Sequence, residues 1–264
     1  MTEVEHLQKV ILSIAKDIDK LCADNNIEYY LLGGSAIGAI RHSGFIPWDD
    51  DLDIIMTTEN YNKFLEICQT QLDTEKYWLQ RGLIDWPLNF SKIRLKGTHM
   101  NEVEGFYQDP DKNGIYVDIF KMDNVSSNSF FGYWQYCCAK FYLCYQLAQR
   151  TYTSAGIKKR IMMFLSYPMN IPSLRAFIIH QIEKENTKKT QYLGFFYGRT
   201  RWKSSVINRN IYGKPIYVNF EDTKLPVAEH YHEYLTQVFG NYMKLPPVEQ
   251  RIGLHMLSID FGKY

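Results

Sequence analysis

LLGGSAIGAIRHSGFIPWDDDLDIIM, residues 31–56, decides how this chain is read. Ile27 to Leu32 has the apolar content of a strand, and Gly33-Gly34-Ser35 follows it as a tight turn. Ala36 to Arg41 reads as a short helix begun at that turn, then Ser43-Gly44 through Pro47 as a loop. Leu52 to Met56 is a second apolar strand. Successive strand side chains point to opposite faces, so Asp49, Asp51 and Asp53 share one face if the extended run starts early. Asp50 then points the other way. Carboxylates this close raise one another's pKa values and strain the fold. An acidic surface loop accounts for Asp49 and Asp50. It does not account for acids opening a strand that is otherwise buried, where an unpartnered charge is costly. A divalent cation removes the cost, and an all-oxygen donor set suits Mg²⁺, with Mn²⁺ as the alternative.

The glycines upstream let the backbone approach a ligand closely, and helix-end amides attract phosphate. Gly33, Gly34 and Ser35 are therefore candidate phosphate contacts beside the aspartates, the pairing that phosphoryl transfer needs. Asp118, in the apolar run GIYVDIF, is a third carboxylate. It reads either as an edge-strand aspartate facing water or as a further ligand or base. Lys92 and Arg94 alternate onto one face of FSKIRLKGT, where they are exposed cations or neutralise donor phosphates. Arg41 and His42 lie between the glycines and the aspartates, as solvated loop residues or phosphate contacts. His255 has no partner nearby in sequence and reads as structural.

Around this nucleus, Val4, Leu7, Ile11, Ile14, Ile18 and Leu21 form one apolar seam of an amphipathic helix. Thr58 to Leu72 is a second helix, and Tyr77–Gln80, Phe90–Leu95 and Ile115–Phe120 are short strands. From Phe130 the pattern turns helical and aromatic. The reading is an α+β chain with a mixed-sheet core over 1–125 and a mainly helical, aromatic-rich part over 126–264 that contributes to acceptor binding. The shift near Ser126–Ser129 is the candidate boundary, and one compact unit is the alternative.

The chain has 264 residues, 45% of them hydrophobic, enough for one large domain. A net charge of +1 gives no electrostatic footprint for nucleic acid. Five cysteines with no CxxC pair suggest reduced thiols rather than a disulfide framework or zinc knuckle. The charged N-terminus and the lack of a long apolar run point to the cytosol. Arg150 to Lys203 carries eleven Lys or Arg against two Glu. A solvated helical face is the expected role there; a surface that meets anionic lipid or a phosphate-rich polymer is the alternative.

At these residues the sequence resembles the LicD family. The pieces that carry the likeness are residues 31–56, then GIYVDIFKMDNV, and FGNYMKLPPVEQRIGLH near the C-terminus. The wider likeness is to the nucleotidyltransferase superfold, matched at Gly34, Ser35, Asp51, Asp53 and Asp118. A longer loop between Ser35 and Asp51 leaves the role of Asp49 open. The resemblance implies a Mg²⁺-dependent enzyme moving phosphocholine from CDP-choline to a sugar hydroxyl of teichoic acid or lipopolysaccharide, with Asp51, Asp53 and Asp118 catalytic. It also implies a sugar or lipid-linked glycan acceptor; the inner face of the cell membrane is the place the basic segment would allow for that work. Choline needs aromatic faces, for which Trp48, Trp86 and Tyr116 are candidates. Transfer of phosphoethanolamine, glycerol phosphate or ribitol phosphate is the second reading, and a catalytically silent nucleotide- or glycan-binding module the third.

Overall fold

A computed structural model describes residues 1–102, 112–149, 157–198, 200–251, 253 and 256–264. The expected structural histidine, His255, lies outside these residues, as do Arg150 and Arg199 of the basic segment. Helix α1 (Glu3–Asp24) opens with a reciprocal cap: Glu5 N–H donates to Thr2 Oγ1 at 3.2 Å and Thr2 N–H to Glu5 Oε2 at 2.7 Å. Its seam of Leu7, Val10, Ile11, Ile14 and Ile18 is buried. Each such side chain is worth roughly 1.5–3 kcal/mol when taken from water.

Next come β1 (Tyr30–Leu31), α2 (Gly33–His42), β2 (Asp53–Thr57), α3 (Thr58–Gln71), β3 (Tyr77–Gln80), β4 (Ser91–Leu95), β5 (His99–Glu102) and β6 (Tyr116–Val125). The expected glycine turn is thus the first turn of α2 itself. Beyond β6 lie α4 (Ser129–Ala148), α5 (Ile157–Leu165), α6 (Pro172–Glu183), β7 (Tyr192–Gly194), α7 (Trp202–Ser205), β8 (Val206–Asn208) and α8 (Arg209–Tyr212). The hairpin β9 (Ile216–Phe220) and β10 (Thr223–Val227), α9 (Tyr231–Phe239) and β11 (Met256–Asp260) complete the order.

The main sheet runs β1-β2-β6-β4-β3, with β7 added to the far end of β6 and β8 to β7. Among the described residues, β2 and β6 pair in parallel within it and the other pairs are antiparallel. That parallel register sets Asp53 opposite Asp118. The fold is α+β, a mixed sheet covered by helices. Among the described residues, α4, α5 and α6 follow β6, but from Tyr192 the chain returns to the sheet. Leu193, Ile207, Phe220, Leu225, Val227 and Leu235 join the same core as α1 and β2. A smaller core under α4 and α6 holds Cys138, Tyr142, Met169, Ile178 and Phe196.

Gly38 sets how closely the acidic loop approaches α2. A Cβ built there meets Gly44 O at 2.5 Å and Ile46 N at 3.2 Å, both backbone atoms. Gly38→Ala is expected to cost about 2–3 kcal/mol in urea unfolding, because backbone rather than a flexible side chain must move. A loss below about 0.5 kcal/mol would show that the loop does not need this contact.

Candidate functional site

Asp53 is the first residue of β2. Its N–H donates to Ser35 Oγ at 2.9 Å, and its carbonyl accepts from Leu32 N at 2.9 Å. These two bonds tie the strand start to the start of α2. Asp118 N–H donates to Leu52 O at 3.0 Å, fixing the third acid from the neighbouring strand. Asp49, Asp50 and Asp51 lie in the loop before β2, and each offers a carboxylate oxygen within 4.8 Å of the others. Gln8 of α1 anchors that loop, its Nε2 donating to Ile46 O at 3.1 Å and Asp49 O at 2.9 Å.

A Cβ at Gly34 would stand 2.8 Å from Asp49 Oδ2, so a larger residue there would push that carboxylate aside. The first turn of α2 therefore rests against a carboxylate of the cluster. Gly33 has φ +57°, a conformation that favours glycine, and its backbone meets the Tyr234 hydroxyl of α9.

The electrostatics follow from crowding. Burial and the neighbouring Asp51 and Asp50 push the Asp49 carboxyl up to about 8. Burial, then Asp51, Asp118 and Asp49, hold Asp53 well above the usual carboxylate range, against the pull of Lys92. Burial of several like charges together produces this pattern.

Lys92 and Arg94 are both buried, so the exposed reading does not hold. Lys92 is 3% exposed and sits 3.0 Å from Asp118 Oδ1, with its Nζ 3.3 Å from the centre of the Tyr116 ring. Arg94 is 1% exposed and donates to Gln80 Oε1 at 2.7 Å and Gly114 O at 3.0 Å. Arg94 is a strut between strands rather than a phosphate contact. Trp86 and Tyr116 are buried, and both rings face Lys92, so they pack around this chain's own cation. Trp48 differs: it is half-buried and lies under the Arg251 guanidinium, 5.5 Å from its ring. Arg41 donates to Tyr242 O at 2.7 Å and to His42 Nε2 at 3.0 Å, which bends this pair toward the C-terminal part.

The likeness to known proteins can be set beside this geometry. Residues 26–155 match the model of the family described as "LicD/FKTN/FKRP, nucleotidyltransferase domain". The lipopolysaccharide cholinephosphotransferase LicD of Haemophilus influenzae is 31% identical over 260 residues, covering 94% of each chain. This chain belongs to the LicD family. Shorter matches join it to uncharacterised proteins of Rickettsia typhi (42% identical over 57 residues, 22% of this chain and 18% of that one) and Rickettsia prowazekii (48% over 44 residues, 17% and 16%). All five aspartates described above fall inside the matched LicD domain.

Several residues of this LicD-family site escape a reading of the sequence. Asp50 was expected on the opposite face, yet it is 2% exposed and gathered with Asp49 and Asp51. The alternation rule fails because residues 49–52 are not strand; β2 begins only at Asp53. Gln8 and Tyr234 reach the site from α1 and α9 and carry no local signal. Arg251 is part of the C-terminal piece that resembles the family, and the fold carries it to Trp48.

Proposed function

We propose that this LicD-family phosphotransferase moves phosphocholine from CDP-choline to a sugar hydroxyl of a lipopolysaccharide or teichoic acid precursor. The observation that carries the reading is the acidic cluster at the head of β2, packed against the glycine start of α2. Likeness over 94% of the chain to a lipopolysaccharide cholinephosphotransferase supports the headgroup and the acceptor class.

A divalent cation fits these residues. The donors are all carboxylate oxygens, and their mutual repulsion, expressed in the raised pKa values of Asp49 and Asp53, is what a cation relieves. Asp49, Asp51, Asp53 and Asp118 would hold Mg²⁺, with the buried Asp50 gathered beside Asp49 and Asp51. When bound, the cation offsets negative charge on the donor phosphates and on the departing nucleotide. The rest is the work of the chain. The first turn of α2 presents backbone amides to a phosphate. Ser35 and Gln8 keep strand and loop from shifting as charge moves, so that the groups stay preorganised. A carboxylate of the cluster takes the proton of the acceptor hydroxyl. The sugar oxygen then forms a bond to the phosphorus next to choline, and the bond to the bridging oxygen breaks to release CMP.

The test is CMP release from CDP-choline by purified protein with a glycolipid acceptor, with Mg²⁺ and with EDTA. Acceptor-stimulated release that EDTA abolishes is the expected result. Consumption of CDP-ribitol or CDP-glycerol with CDP-choline ignored would move the assignment to another headgroup. Indifference to every donor in such a panel would favour a silent binding module.

A further inference from the structure

From Asn124 to Ile182 the chain contains no Asp or Glu, while it carries six Lys or Arg. Among the described residues, no helix in this region is long and apolar enough to cross a membrane. Helix α5 lies here, packed against α4 and the turn that follows it. Its apolar residues recur at the helical spacing of Ile157, Ile161, Phe164 and Leu165, the pattern of a stripe that faces a core. Yet the stripe is turned outward: these side chains are 78%, 54%, 78% and 59% exposed. Tyr167 and Ile171 continue it at 71% and 54%. Arg160 is exposed on the same helix, next in sequence to Lys158 and Lys159. Exposed apolar side chains in this number mark a surface that meets something.

We infer that α5 and the turn after it form an interfacial anchor that lies on an anionic lipid bilayer. A short helix with one apolar face and a purely cationic polar complement matches the boundary between headgroups and acyl chains. Tyr167 at the end of the stripe suits the headgroup level. Anionic lipid supplies the negative charge that this stretch lacks. A second copy of the chain is the poorer occupant, because a two-fold contact would set the same cations against one another. The inference rests on this surface alone and is independent of the proposed reaction.

The experiment is co-sedimentation of the full chain with phosphatidylcholine vesicles and with phosphatidylcholine–phosphatidylglycerol vesicles at about 7:3. Binding at least about tenfold tighter to the anionic vesicles is expected, weakening as salt rises. Ile161→Ser with Phe164→Ser should reduce that binding at least about tenfold while leaving the circular dichroism spectrum and thermal midpoint unchanged, since both residues are exposed. Charge reversal at Lys158, Lys159 and Arg160 should abolish the preference for anionic lipid. Failure to sediment with anionic vesicles at low salt would overturn the anchor. So would wild-type binding by the serine variant, or a wild-type dimer that the serine variant splits, which would assign the face to a second copy. Capture of an acidic protein without any lipid binding would overturn it equally.

Discussion

Asp53→Ala protein is expected to fold, to be more stable than wild type without metal, and to transfer nothing. The loss of activity should be roughly 10³-fold or more, because the residue stands where charge must be held during transfer. The gain in stability follows from the same crowding. Asp49 titrates near 8 in the folded protein against an ordinary value near 4. Between those values the folded chain holds a proton that the unfolded chain has released, so stability falls as pH rises from about 4 to about 8. Asp53 is shifted in the same direction and for the same reasons. Removing its carboxylate should return roughly 1–3 kcal/mol at pH 8 in EDTA and flatten the slope of unfolding free energy against pH. Mg²⁺ should raise the wild-type Tm most at pH 8 and barely move that of the variant. Transfer near the wild-type rate in Asp53→Ala, or a variant less stable than wild type in EDTA at pH 8, would remove the cation role from this cluster.

Lys92→Met should act in the opposite sense on stability. Lys92 pairs with Asp118 at 3.0 Å while both are nearly inaccessible to solvent. Taking one partner from a buried pair leaves the other charge uncompensated, at a cost of about 3–5 kcal/mol. The slot itself accepts methionine well, since Tyr116, Trp86 and Phe90 surround the ammonium group. The double variant Lys92→Met with Asp118→Asn should therefore regain most of the lost stability while remaining inactive. Urea unfolding in EDTA separates these outcomes. A single variant within about 1 kcal/mol of wild type would mean that water, rather than Lys92, compensates Asp118.

The sequence carried the chemistry of the site more plainly than its outline. Asp51, Asp53 and Asp118 stand out because an acid within an apolar run has few physical explanations. The burial of Lys92 and Arg94 is not legible, because spacing gives the face of a strand but not whether that face is covered. Here β3 and the residues before β4 enclose it, and Arg94 is closed off by Gln80. The α1 seam is legible because one periodic pattern spans five turns. The strands from Tyr192 onward are three to five residues long and α7 and α8 among them have four residues each, too short for any period to emerge. Their place in the main core is a matter of long-range pairing, which a local reading does not reach.

The acidic loop is fastened from both directions of the chain. Gln8 holds it from α1, and the backbone at Gly253 packs on Asp50 so closely that an added Cβ would fall 2.9 Å from Oδ2. The two anchoring segments also touch each other: His6 stacks on Phe261 with ring centres 3.8 Å apart. On the ribosome, the first helix and the early strands emerge long before the segment that covers Asp50. Asp50 therefore acquires its cover only once the segment around Gly253 has folded back onto the loop.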